Sequence, residues 1–87
     1  MKVQMSGAML EALKATSEMP DNLIRCVALA QASGAGSFTI GMNEDEAMAM
    51  TEMCQWYIKK DPVTGKLTPK GELFDRIVRA IYQAQDA

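Results

Sequence analysis

The sequence predicts an all-α fold, a small four-helix bundle-like domain spanning residues 1–87, on three observations. Apolar residues recur at helical spacing in four segments, about 6–17, 21–33, 44–60 and 69–85. Proline or glycine punctuates each gap, at Pro20, at Gly34 with Gly36, and at Pro62 with Gly65. Two of the segments open with explicit start signals, Asn43 followed by Glu46 and Thr68 followed by Pro69. The only allowance for extended chain is one short piece near 37–41.

In the first segment Met5, Ala8, Met9, Ala12, Leu13 and Thr16 share a face, with Glu11 and Lys14 opposite. Pro20 ends it, and Asp21 suits the first turn of the next helix because it complements the helix dipole. That second helix is apolar nearly all round, since only Arg25 and Gln31 are polar across its centre. Such a helix is expected to be buried on most sides, with Gly34 as its C-terminal cap. Between it and the third helix, Phe38 and Ile40 alternate with polar residues. If they form a strand, residues 1–4 are its expected partner.

The third helix has the clearest start. Asn43 caps it, Glu46 completes a capping box, and Glu44, Asp45 and Glu46 fill the first turn while Lys59 and Lys60 fill the last. Residues 61–66 read as a turn, after which Thr68 caps and Pro69 takes the first helical position. In the fourth helix Leu73, Phe74, Ile77, Val78 and Ile81 lie on one face, and Glu72–Arg76 and Asp75–Arg79 are spaced as ion pairs. No internal repeat is visible.

Composition excludes more than it identifies. Nine basic against eleven acidic residues give a net charge of −2, no surplus with which to bind phosphate backbones. Histidine is absent, and with it the commonest general base and transition-metal ligand. Serines 6, 17, 33 and 37 therefore lack an activating partner. Cys26 and Cys54 have no metal-ligand spacing and read as reduced, buried thiols of an intracellular chain. Gly36 and Gly41 have phosphate-loop spacing, but Met42 and Asn43 stand where lysine and a hydroxyl are needed. No apolar run approaches the roughly 20 residues of a membrane span. The expectation is a cytoplasmic protein that is not an enzyme and uses no cofactor, metal or membrane. Eight methionines outnumber the six leucines, so its apolar material is soft.

One feature points to function. On the third helix Ala47, Met50, Cys54, Tyr57 and Ile58 form a core stripe, while Ala49, Met53 and Trp56 form a second, turned by roughly 120°. Trp and Met are enriched at interfaces, and Trp often anchors them. The second stripe is therefore the candidate contact surface of a non-enzymatic protein-interaction module. The module is expected to be a homodimer, or to bind a larger protein, as an accessory, regulatory or inhibitory factor.

The alternative lies in the next turn. The run Leu67-Thr68-Pro69-Lys70-Gly71-Glu72-Leu73, preceded by Asp61-Pro62 and Gly65-Lys66, resembles the segment between wing and following helix in winged-helix regulators of the multiple-antibiotic-resistance type. The resemblance covers about 14 residues. It implies a nucleic-acid-associated regulator with Lys59, Lys60, Lys66 and Lys70 near phosphate. The chain departs from that pattern where a recognition helix should open, because the helix before the turn begins Glu44-Asp45-Glu46.

Overall fold

In the computed structural model, which describes residues 1–86, the chain begins with a strand rather than a helix. β1 (Lys2–Ser6) alternates exposed and buried positions, with Val3 and Met5 turned inward. Ser6 then caps α1 (Gly7–Lys14): its Oγ accepts from the Met9 amide at 3.3 Å, and its own amide donates to Met9 Sδ at 3.4 Å. α2 (Asp21–Ala28) leads to β2 (Gln31–Gly34) and β3 (Ser37–Gly41). α3 (Glu44–Tyr57) and α4 (Pro69–Asp86) complete the order.

The all-α bundle is thus corrected to a mixed fold of four helices and a three-stranded antiparallel sheet, ordered β1-β3-β2. Three local competitions account for the difference. Met5 fits both a 3.6-residue and a two-residue period, and pairing decides it: Val3 lies opposite Ile40, and Met5 opposite Phe38. This is the strand pairing anticipated for 37–41 if that piece were extended. Residues 31–33, expected to be helical, instead pair with β3 through a hairpin. Gly36 supplies the left-handed backbone of its turn, with φ at 73°. Finally, α3 stops at Tyr57 rather than 60, because Ile58 turns extended and Lys60 bridges to Leu67.

The second helix also differs in burial. It is two turns long and hides only Leu23, Cys26 and Val27, while Ile24 is 50% and Leu29 69% exposed. The expectation of a helix covered on most sides fails because a small domain lacks layers with which to cover it.

Helices cover one face of the sheet. Val3, Met5 and Ile40 meet Leu13, Met50, Cys54, Phe74, Ile77 and Ile81 in a single core. The other face is polar: Gln4 Nε2 donates to Thr39 Oγ1, and Ser33 Oγ donates to Gln4 Oε1, both at 3.0 Å. α4 is the central support, packing on α3, α1 and β1. Met5, Met9, Met42 and Met50 are all buried, so methionine does fill the core.

A repeat that the residue types conceal is visible in three dimensions. Val3, Met5, Ser6, Leu10 and Leu13 correspond at constant separation to Ile40, Met42, Asn43, Ala47 and Met50. Eight of these ten are buried; only Ser6 and Asn43 are exposed, and each caps its helix. Val3 and Ile40 are also direct partners across β1 and β3, the relation of a local two-fold axis between two strand–cap–helix units.

Candidate protein-docking groove

α3 outruns α1 by six residues, and Glu52, Met53, Trp56 and Tyr57 of the candidate site lie on that added length, with Ala49 one turn before it. The core stripe fixes its rotation: Ala47, Met50 and Cys54 are fully buried. Tyr57 stacks on Phe74 of α4 with ring centroids 4.8 Å apart at 22°. With that face inward, the stripe of Ala49, Met53 and Trp56 turns toward the α1–α2 connection. There it borders a groove of about 600 Å³, closed on the other side by Glu18 and Pro20.

The three predicted residues are therefore brought together, but in different roles. Ala49 and Met53 are half-buried and packed against the core, forming floor. Trp56 is 80% exposed and forms a wall. Glu52 and Glu18 bring two carboxylates to the groove, and Tyr57 lines its end. Among the described residues the ion pair is Arg79 with Asp75 on α4, at 2.9 Å, so neither groove carboxylate is neutralised by a neighbouring cation. Sequence reasoning missed Glu18 and Pro20 because their placement depends on how the 15–20 connection folds back. The only available signal was Pro20, a rigid residue next to Met19 and with no repeat partner.

The four lysines of the alternative reading gather at one end of the molecule. The chain from 59 to 68 forms a small closed loop: Lys60 bridges Leu67, the Asp61 amide donates to the Lys66 carbonyl at 2.7 Å, and the Thr68 amide donates to the Lys59 carbonyl at 3.0 Å. Asp61 Oδ1 accepts from the Val63 amide at 2.8 Å, and Gly65 takes the left-handed turn position with φ at 71°. Lys59, Lys60 and Lys66 are exposed; Lys70 is exposed too, with its Nζ 5.2 Å from the Tyr57 ring centre, within cation–π range. This loop contributes no strand to the sheet, which is built from β1, β2 and β3 alone among the described residues.

Cys26 and Cys54 are free and buried. Burial, aided by the hydrogen bond that Cys26 Sγ donates to Glu46 Oε2 at 3.2 Å, pushes the Cys26 thiol up to about 11. Burial alone pushes Cys54 up to about 12. Neither is a poised thiolate. Among the described residues there is no cluster of three potential metal-ligating side chains and no buried side-chain polar atom without a partner. None of their helices is long and apolar enough to cross a membrane. No protein-family model, curated protein or solved structure matches the chain.

Proposed function

We propose that the chain is a non-enzymatic protein-interaction module, homodimeric and cytoplasmic, acting as an accessory, regulatory or inhibitory protein through the α3 groove. The observation that carries this reading is Trp56, 80% exposed beside a half-buried apolar floor of Ala49 and Met53. Left in water, an indole keeps a large apolar area hydrated. Covered by a partner, it is the side chain that most often dominates an interface. The two free, buried cysteines are consistent with a reducing compartment.

Sedimentation equilibrium of wild type against Trp56→Ala tests the reading. Truncation of an anchoring Trp costs about 2 kcal/mol or more, so the dimer constant should weaken by roughly 30-fold. Thermal stability should barely change, because the indole touches solvent rather than core. A variant that loses stability while associating as wild type does would overturn the reading.

A second reading is supported by the gathering of Lys59, Lys60, Lys66 and Lys70 at one end: association with nucleic acid through their phosphate contacts. It predicts retention on DNA or RNA that weakens steeply with salt, at a log–log slope of about −0.9 per phosphate neutralised on duplex DNA. Absence of retention at low salt would eliminate it.

A further inference from the structure

We infer that the occupant of the groove is the 59–66 loop of a second copy of this chain, exchanged reciprocally between two subunits. The inference rests on the groove reading above and names its partner.

The loop carries the chemistry that the groove lacks. Its tip is apolar and unusually open, with Val63 90% exposed beside an exposed Pro62. Lys60 and Lys66 flank that tip, and among the described residues neither has a carboxylate within ion-pair reach. The groove offers the complement: an apolar floor of Ala49, Met53 and Tyr57, with the unpaired carboxylates of Glu18 and Glu52 at its side. An apolar tip between two cations thus matches an apolar trough beside two anions.

The loop cannot satisfy its own groove. The bridge from Lys60 to Leu67 and the hydrogen bond from Thr68 to the Lys59 carbonyl hold it on the start of α4. The same bonds make it a preformed knob, so docking it costs little ordering entropy. It also begins immediately beyond the end of the helix that floors the groove. A two-fold axis across that end lets each loop meet the other groove, and one contact made twice closes the assembly as a dimer.

The test is sedimentation equilibrium near physiological salt on intact chains, with folding checked by circular dichroism. Val63→Asp should weaken the dimer at least about tenfold, with a melting curve equal to that of wild type at dilutions where both are monomeric. A groove variant (Glu18→Lys with Glu52→Lys) and a loop variant (Lys60→Glu with Lys66→Glu) should each dissociate. Mixing these two variants should restore dimer, because each reversed groove then faces a reversed loop and each native groove a native loop.

Wild type that stays monomeric at all concentrations overturns the inference. So does a dimer that Trp56→Ala dissociates but Val63→Asp and the loop variant leave intact; the groove reading survives that result with a different occupant. A dimer insensitive to Trp56→Ala as well removes both.

Discussion

Strand β1 enters α1 through Ser6, and strand β3 enters α3 through Asn43, with equivalent apolar residues buried in both units. The two caps are nonetheless made differently. Ser6 is answered by the thioether of Met9, a weak acceptor at 3.4 Å. Asn43 is answered by the carboxylate of Glu46, which accepts from the Asn43 amide at 2.9 Å and from the Cys26 thiol at 3.2 Å. The second difference is length: α1 ends at Lys14, whereas α3 continues through Glu52, Met53, Trp56 and Tyr57. What the units share builds the core, and what α3 adds supplies Glu52, Met53, Trp56 and Tyr57 to the groove. Within one small domain, the scaffold and the candidate contact surface are thereby separated along a single helix.

The largest effects should fall on the shared part, and equally on both copies. Leu13→Ala and Met50→Ala each empty a fully buried position, and each should cost about 2–5 kcal/mol in urea unfolding. A strong inequality between them would break the equivalence. Next is Gly71, where an added Cβ would lie 2.8 Å from the Lys59 carbonyl oxygen and 3.0 Å from Thr68 Oγ1. Gly71→Ala should cost about 1–3 kcal/mol by forcing the start of α4 off the end of α3. Its effect should be seen also as a loosened 59–66 loop in hydrogen exchange.

Cap removal sharpens the contrast at a smaller scale. Asn43→Ala should destabilise by about 1 kcal/mol, and Ser6→Ala by less, since the side chain removed accepts from the Glu46 amide at 2.8 Å in the first case and from the Met9 amide at 3.3 Å in the second. The pH dependence should be one-sided in the same way. Hydrogen bonds, from the Asn43 amide first and the Cys26 thiol second, hold the Glu46 carboxyl below its ordinary 4.5. A carboxylate lowered on folding stabilises above the unfolded value and loses that contribution as pH falls through the folded one. Acid should therefore loosen the first turn of α3 while leaving that of α1, whose cap has no titrating group.

The cysteines give the opposite limb. Their thiols are raised on folding from 9.0 to about 11 and about 12, so stability should fall as pH rises beyond 9.0. Urea midpoints across pH would show both limbs, and Glu46→Gln should flatten the acid one while reducing only the Cys26 share of the alkaline one. The smallest change expected is in the stability of Trp56→Ala, within about 0.5 kcal/mol, as for other surface substitutions.

The helices of the second half were legible in the sequence because their signals are local. Asn43 with Glu46 and Thr68 with Pro69 announce starts that no distant contact has to ratify, and Thr68 Oγ1 does accept from the Gly71 amide at 3.0 Å. The sheet was not legible, because its signals are relational. Val3 and Met5 become a strand only opposite Ile40 and Phe38, and β2 is exposed at all four positions, leaving no apolar alternation to read. The repeat stayed hidden for a related reason: Ser6 and Asn43, or Leu10 and Ala47, do equivalent work with unlike side chains. At the groove, Ala49, Met53 and Trp56 were legible as one stripe of a helix. Glu18 and Pro20 were not, since nothing local places a connecting segment across from a helix that begins only at Glu44.

β2 also decides where this molecule can afford to be adhesive. It is one of the two outer strands of the sheet, four residues long, with a register shift between Ala32 and Gly34. A short, irregular margin offers a poor template for another chain's backbone, so open-ended strand stacking has little purchase there. Growth into fibres is discouraged at the β2 margin, whereas the pair proposed for the helical end would close on itself and leave no copy of its contact free.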